Sequence, residues 1–120
     1  MNKNKKLSVR CTIDRGNIRC NRVGRRRGGV TACIAVAREV VAAKRTYCPH
    51  YLGGIGLVAS AHLLAACNGG WLEVDSNTNP LRNDFCGAVT VIRDGEIMLP
   101  ELPGLGIAPD IAAIAMYRTL

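Results

Sequence analysis

Cys48-Pro49-His50-Tyr51-Leu52-Gly53-Gly54-Ile55-Gly56-Leu57, continuing through Ala59-Ser60-Ala61-His62-Leu63-Leu64-Ala65-Ala66, reads as a short strand ending in a His, a glycine-rich turn and an Ala/Leu-rich helix. A His at the C-terminal end of a strand, just before the loop into the next helix, stands where a barrel of alternating strands and helices keeps its catalytic groups. The glycine spacing is not that of a dinucleotide or P-loop phosphate cradle.

Working outward, Ile34, Val36, Ala37, Val40, Val41 and Ala43 recur at helical spacing, with Arg38, Glu39, Lys44 and Arg45 on the other side. Thr31 suits the N-cap and Lys44-Arg45 the C-terminus, which predicts a helix over Thr31–Lys44. Thr46-Tyr47-Cys48 is a short buried strand cut off by Pro49. A helix over Ile55–Cys67 ends at Asn68-Gly69-Gly70, and Trp71-Leu72-Glu73-Val74 is the next strand. Helix, strand, helix, strand with short loops signals parallel α/β structure.

Beyond Asp75 the pattern changes. Asn79-Pro80 predicts a turn. Gly87–Ile92 and Ile97–Leu99 read as two short strands around Asp94-Gly95. Residues 100–109 hold three prolines and read as a loop. Asp110 caps a final helix over Ile111–Tyr117.

At 120 residues the chain suits one small domain and falls well short of the roughly 250 residues of a closed eight-stranded barrel. Residues 1–27 carry ten basic side chains and one acid, Asp14, while the other 93 residues carry six basic and eight acidic ones. The net charge of +7 therefore belongs to the leader. Within that leader, Ser8–Ile13 is a short strand at best. A basic arm can bind nucleic acid through phosphates, but interleaved aromatics and a nucleic-acid module are lacking. No apolar run reaches the ~18 residues of a membrane span, and no apolar stretch follows the first basic residues as in a secretory signal. The six cysteines form no Cys-x-x-Cys pair. Reduced thiols in the cytoplasm are the expectation.

Gly28-Gly29-Val30-Thr31, Cys48-Pro49-His50, Ala59–Ala66, Trp71-Leu72-Glu73, Asn79-Pro80-Leu81 and Leu102-Pro103-Gly104-Leu105-Gly106 follow one another in an order that resembles the C-terminal third of the mandelate racemase / muconate lactonizing enzyme family of the enolase superfamily. The resemblance runs from about Gly28 to the end. It implies an α/β fold: the last strand–helix units of a modified TIM-type barrel, then a C-terminal crossing segment with a short β-hairpin. It divides the chain into a basic leader over 1–27, disordered or foreign to the fold, a partial barrel over 28–75, and a segment over 76–120 crossing to a capping domain.

The family's chemistry is removal of the proton next to a carboxylate, with a Lys or His base and Mg²⁺ stabilising the ene-diolate. The resemblance implies that His50, ending the seventh strand, is a base or acid. It implies that Glu73, ending the eighth, donates a hydrogen bond to the substrate carboxylate. The family's Asp of the sixth strand has no counterpart over Asn21–Arg27, and the Lys-x-Lys base and Mg²⁺ ligands have none in this chain. The implied parent is a Mg²⁺-dependent racemase or dehydratase acting on a hydroxy acid or sugar acid, with this chain a truncated relative inactive alone. The alternatives are a non-catalytic module that pairs with itself or with a companion fragment, and nucleic-acid binding through the basic N-terminus. His62 is expected to be a packed structural residue, and Asn79 and Arg82 to fix a loop.

Overall fold

A computed structural model describes residues 7–8, 29–51, 53–68 and 70–118. Apart from residues 7–8, the basic leader and its expected disorder lie outside the described residues, as do residues 9–13 of the strand expected over Ser8–Ile13.

The first long helix, α1, spans Gly29–Ala42. Cys33 and Ala37, one turn apart, are its buried residues, and Ile34 and Val40 flank them against the core. It stops two residues before the predicted end because Lys44 turns left-handed at φ 54°. The Arg45 N–H then reaches the Val40 carbonyl at 3.0 Å and the Lys44 N–H the Val41 carbonyl at 2.9 Å. This is a Schellman closure with lysine where glycine is usual.

Helix α2 spans Gly54–Cys67 and buries Gly54, Leu57, Val58, Ala61, Leu63 and Leu64. So broad an apolar face marks a helix packed on several sides. Asn68 closes it at φ 56°, its N–H bonded to the Leu64 carbonyl. The core gathers on this helix, with Tyr47, Leu57, Ala61, Leu64, Leu72 and Ile97 each at most 2% exposed.

Between and after these helices run the two segments expected as parallel strands. They pair through Trp71 N–H to Tyr47 O at 3.0 Å and Glu73 N–H to Pro49 O at 3.2 Å. His50 and Glu73 form a parallel bridge, outside any longer strand. The parallel order read from the sequence holds, but the ladder is short. Pro49 has no N–H to contribute, and a two-membered parallel pair has little to sustain it. Gly70 admits the contact: at φ +122° it lies so close to the Tyr47 carbonyl that a Cβ would overlap it.

Three expectations for the second half need correction. Asn79-Pro80 starts a helix, α3, over Pro80–Cys86. The Asn79 Oδ1 accepts from the Leu81 N–H at 3.0 Å, and proline fills the first position, where no N–H is needed. Next, Gly87–Thr90, expected in a strand, is a 3-10 turn. The Thr90 hydroxyl, shared between the carbonyls of Gly87 at 2.9 Å and Arg82 at 3.2 Å, ties it to α3. The β-branched composition yields to that tertiary anchor. The expected β-hairpin is thus reduced to a bridge between Arg93 and Glu96 around Asp94-Gly95, both at positive φ. The strand that follows, β2 (Glu96–Ile97), pairs antiparallel with β1 (Leu7–Ser8), Leu7 opposite Ile97.

Third, the final helix is only a 3-10 turn over Ala115–Tyr117. Asp110 accepts from the N–H groups of Ala112 and Ala113 at 2.9 and 3.1 Å, but this closes the turn over residues 111–114; the 3-10 turn itself starts at Ile114 with no side-chain cap. Ile111, Met116 and Tyr117 are exposed, so no burial extends the turn into a helix. Among the described residues no helix is long and apolar enough to cross a membrane.

Candidate active site

Successive side chains of an extended segment point to opposite faces. Tyr47 is 1% exposed and Pro49 is buried, while Cys48 and His50 are half-buried; Leu72 is 1% exposed and Glu73 exposed. Tyr47, Pro49 and Leu72 therefore face the helices. His50 and Glu73, in register, share the opposite face. The two sequence-predicted site residues are brought together as neighbours, about 5 Å apart along the hydrogen-bonding direction.

Past Glu73, the loop is held by Arg82, which is 7% exposed. Its guanidinium donates to the carbonyls of Asp75, at 2.8 Å, and Asn77, and to the Asn83 side chain at 3.0 Å. Asp75 in turn accepts from the Asn77 N–H. Arg82 and the Asn79 cap thus do fix a loop. On the other side of α2, His62 Nε2 lies 3.1 Å from the Leu105 carbonyl. A carbonyl only accepts, so Nε2 carries the proton, and His62 docks the Pro/Gly loop as a structural residue.

His50 also borders a cleft of about 400 Å³ between the starts of α1, α2 and α3, walled by Val30, Tyr51, Ile55, Leu81 and Phe85. The Tyr51 ring lies on Gly56, where a Cβ would collide with it. Glu73 does not line this cleft. Sequence reading missed the cleft: α3 supplies one wall, and its start was read as a turn. Beneath it Cys86 packs on Gly54, and burial raises its thiol pKa above the ordinary 9.0.

Chemically, an imidazole and a carboxyl group side by side on an open strand face can move a proton and hold an anionic group. The described residues bring no three His, Cys, Asp or Glu side chains together around a metal ion. They do not fit a divalent cation of the magnesium type, which takes about six oxygens, several from carboxylates or substrate.

Residues 23–113 match the model of the enolase C-terminal domain-like family. The arabinonate dehydratase of Saccharolobus solfataricus is 31% identical over 80 residues, 66% of this chain and 21% of that protein. A crystal structure of a mandelate racemase/muconate lactonizing enzyme from Bordetella bronchiseptica superposes with a TM-score of 0.67 at 52% identity, covering 74% of this chain and 26% of that one. The chain thus spans about a quarter of the length of these relatives. With the family model matched over most of its length, it belongs to the enolase C-terminal domain-like family, within the mandelate racemase / muconate lactonizing enzyme group of the enolase superfamily.

Proposed function

We propose that this chain supplies the His50–Glu73 part of a site that removes the proton alpha to the carboxylate of a hydroxy acid or sugar acid, in a racemase or dehydratase. The observation that carries the reading is the parallel bridge between these two residues. In a whole barrel the segment ending at His50 is the seventh strand and the one ending near Glu73 the eighth. The His50 imidazole takes or returns the proton, and Glu73 in its acid form donates a hydrogen bond to the substrate carboxylate. The superfamily is generally Mg²⁺-dependent. The described residues do not fit that ion, so its ligands would come from other strands of the barrel.

A second reading, a non-catalytic complementation module, has one observation in its favour: among the described residues the two strand segments joined at His50 and Glu73 have no third strand paired beside them. One experiment separates the two. The full chain is combined with a polypeptide carrying the preceding barrel units of the Bordetella relative. Exchange of the C2 proton of hydroxy and sugar acids in D₂O is followed by NMR. Exchange in the assembled mixture, and in neither part alone, is the expected result. An assembled mixture without exchange on any acid overturns the catalytic reading in favour of the module.

A further inference from the structure

Helix α2 is closed by Asn68, the one asparagine of the sequence that precedes a glycine. That pair is chemically labile, because a glycine without a side chain leaves its backbone nitrogen unhindered. The nitrogen of residue 69 attacks the Asn68 Cγ. A C–N bond forms there, and the side-chain NH₂ leaves as ammonia with the proton of the attacking nitrogen. Water then opens the cyclic imide at either carbonyl. One opening leaves aspartate. The other leaves isoaspartate, whose main chain runs through Cβ and is one carbon longer.

The folded cap opposes the first step. Asn68 is exposed, so water reaches it. Its backbone is left-handed at φ 56° and ψ 34°, and its N–H is held on the Leu64 carbonyl at 3.1 Å. Ring closure needs the next nitrogen alongside Cβ. At ψ 34° that nitrogen lies nearly opposite Cβ about the Cα–C bond. The cap must open before the amide can react, and helix ends open at lower cost than cores.

The same place makes the product consequential. Gly70 follows closely, pressed on the Tyr47 carbonyl at φ +122°. Trp71 N–H then bonds Tyr47 O at 3.0 Å, and Glu73 N–H bonds Pro49 O at 3.2 Å. A main chain lengthened at Asn68 does not satisfy both the cap and this register.

We infer that Asn68 is a deamidation site, shut by the helix cap and opened by unfolding, whose isoaspartyl product uncouples Glu73 from His50. The inference goes beyond the proposed reaction and involves no substrate.

The test ages the full chain at mildly alkaline pH, folded and in urea. Peptide mass mapping follows each asparagine, and an isoaspartyl methyltransferase labels the isoaspartate. In urea Asn68 is expected to convert first. Asn79, followed by a proline with no N–H, is the internal reference. Folded chain is expected to convert Asn68 about tenfold or more slowly. Equal rates, or another asparagine converting first, overturn the gating. The isoaspartyl chain is then refolded beside the parent and Asn68→Asp, which carries the same charge on an ordinary main chain and tolerates the left-handed region. Amide exchange at Glu73 is expected to be about tenfold or more faster in the isoaspartyl chain than in Asn68→Asp, with Leu57 little changed. Equal protection of Glu73 in the two, or equal acceleration at Leu57, overturns the coupling to the bridge.

Discussion

Glu73 and His50 are parallel bridge partners, the Glu73 N–H donating at 3.2 Å to the carbonyl of Pro49, the residue before His50. Register fixes which side chains share a face, because a slip of one residue would turn Glu73 toward the helices and Leu72 away from them. The register is in turn held at its two ends, by Gly70 against Tyr47 and by Arg82 on the loop beyond Glu73.

Gly70→Ala should therefore be among the most damaging single substitutions in the chain. A Cβ there meets backbone, and φ +122° is unfavourable for any L-residue. The expected cost is about 3 kcal/mol or more in urea unfolding. Gly104→Ala, at φ +68° with open space around it, should cost only about 1–2 kcal/mol.

Lys44→Gly should stabilise the chain. Lys44 is exposed and left-handed at the end of α1. Glycine removes that strain at some entropic cost in the unfolded chain, for a net gain of about 0.5–1 kcal/mol. Thermal melting gives the check: a raised midpoint is expected.

Arg82→Met retains the apolar stem but leaves the carbonyls of Asp75 and Asn77 without their donor. A loss of about 1–3 kcal/mol should follow. Amide hydrogen exchange should accelerate at Glu73 more than at Leu57, because the loop beyond the bridge is released first.

Cys86 provides a pH signature. Burial raises its thiol pKa above the ordinary 9.0. The unfolded chain then releases this proton at lower pH than the folded one. The stability tied to the neutral thiol is complete below pH 9, the unfolded value, and is lost as pH rises toward the folded one. Unfolding free energy measured between neutral and alkaline pH should fall, and Cys86→Ala should flatten that fall.

What was legible in the sequence, and what was not, follows from where each signal is stored. Helix α1 carries its own apolar periodicity, and α2 is a continuous Ala/Leu-rich run ended by Asn68, so their reading needed no partner. The Asn79-Pro80 pair was ambiguous, since asparagine before proline suits both a turn and a helix cap; only the burial of Arg82 and Cys86 beyond it decides for α3. The strands were legible in position and parallel order but not in extent, because a ladder is made by its neighbours. Val89, Val91 and Ile92 misled for the same reason: their composition favours strand, yet Thr90 bonds back to Arg82. Of the site, His50 and Glu73 were singled out by the family resemblance, and their pairing in register is what the structure adds. The cleft was not, because it arises where three helix starts meet.

The most direct test of the His50–Glu73 site uses the assembled barrel described above. C2 proton exchange is compared for the parent chain, His50→Asn and Glu73→Gln at matched assembly. Loss of about 10²–10⁴-fold in exchange for His50→Asn, with a smaller loss for Glu73→Gln that retains a hydrogen-bond donor, is the predicted result. Exchange undiminished in His50→Asn would contradict the assignment of this strand end as the seat of the chemistry.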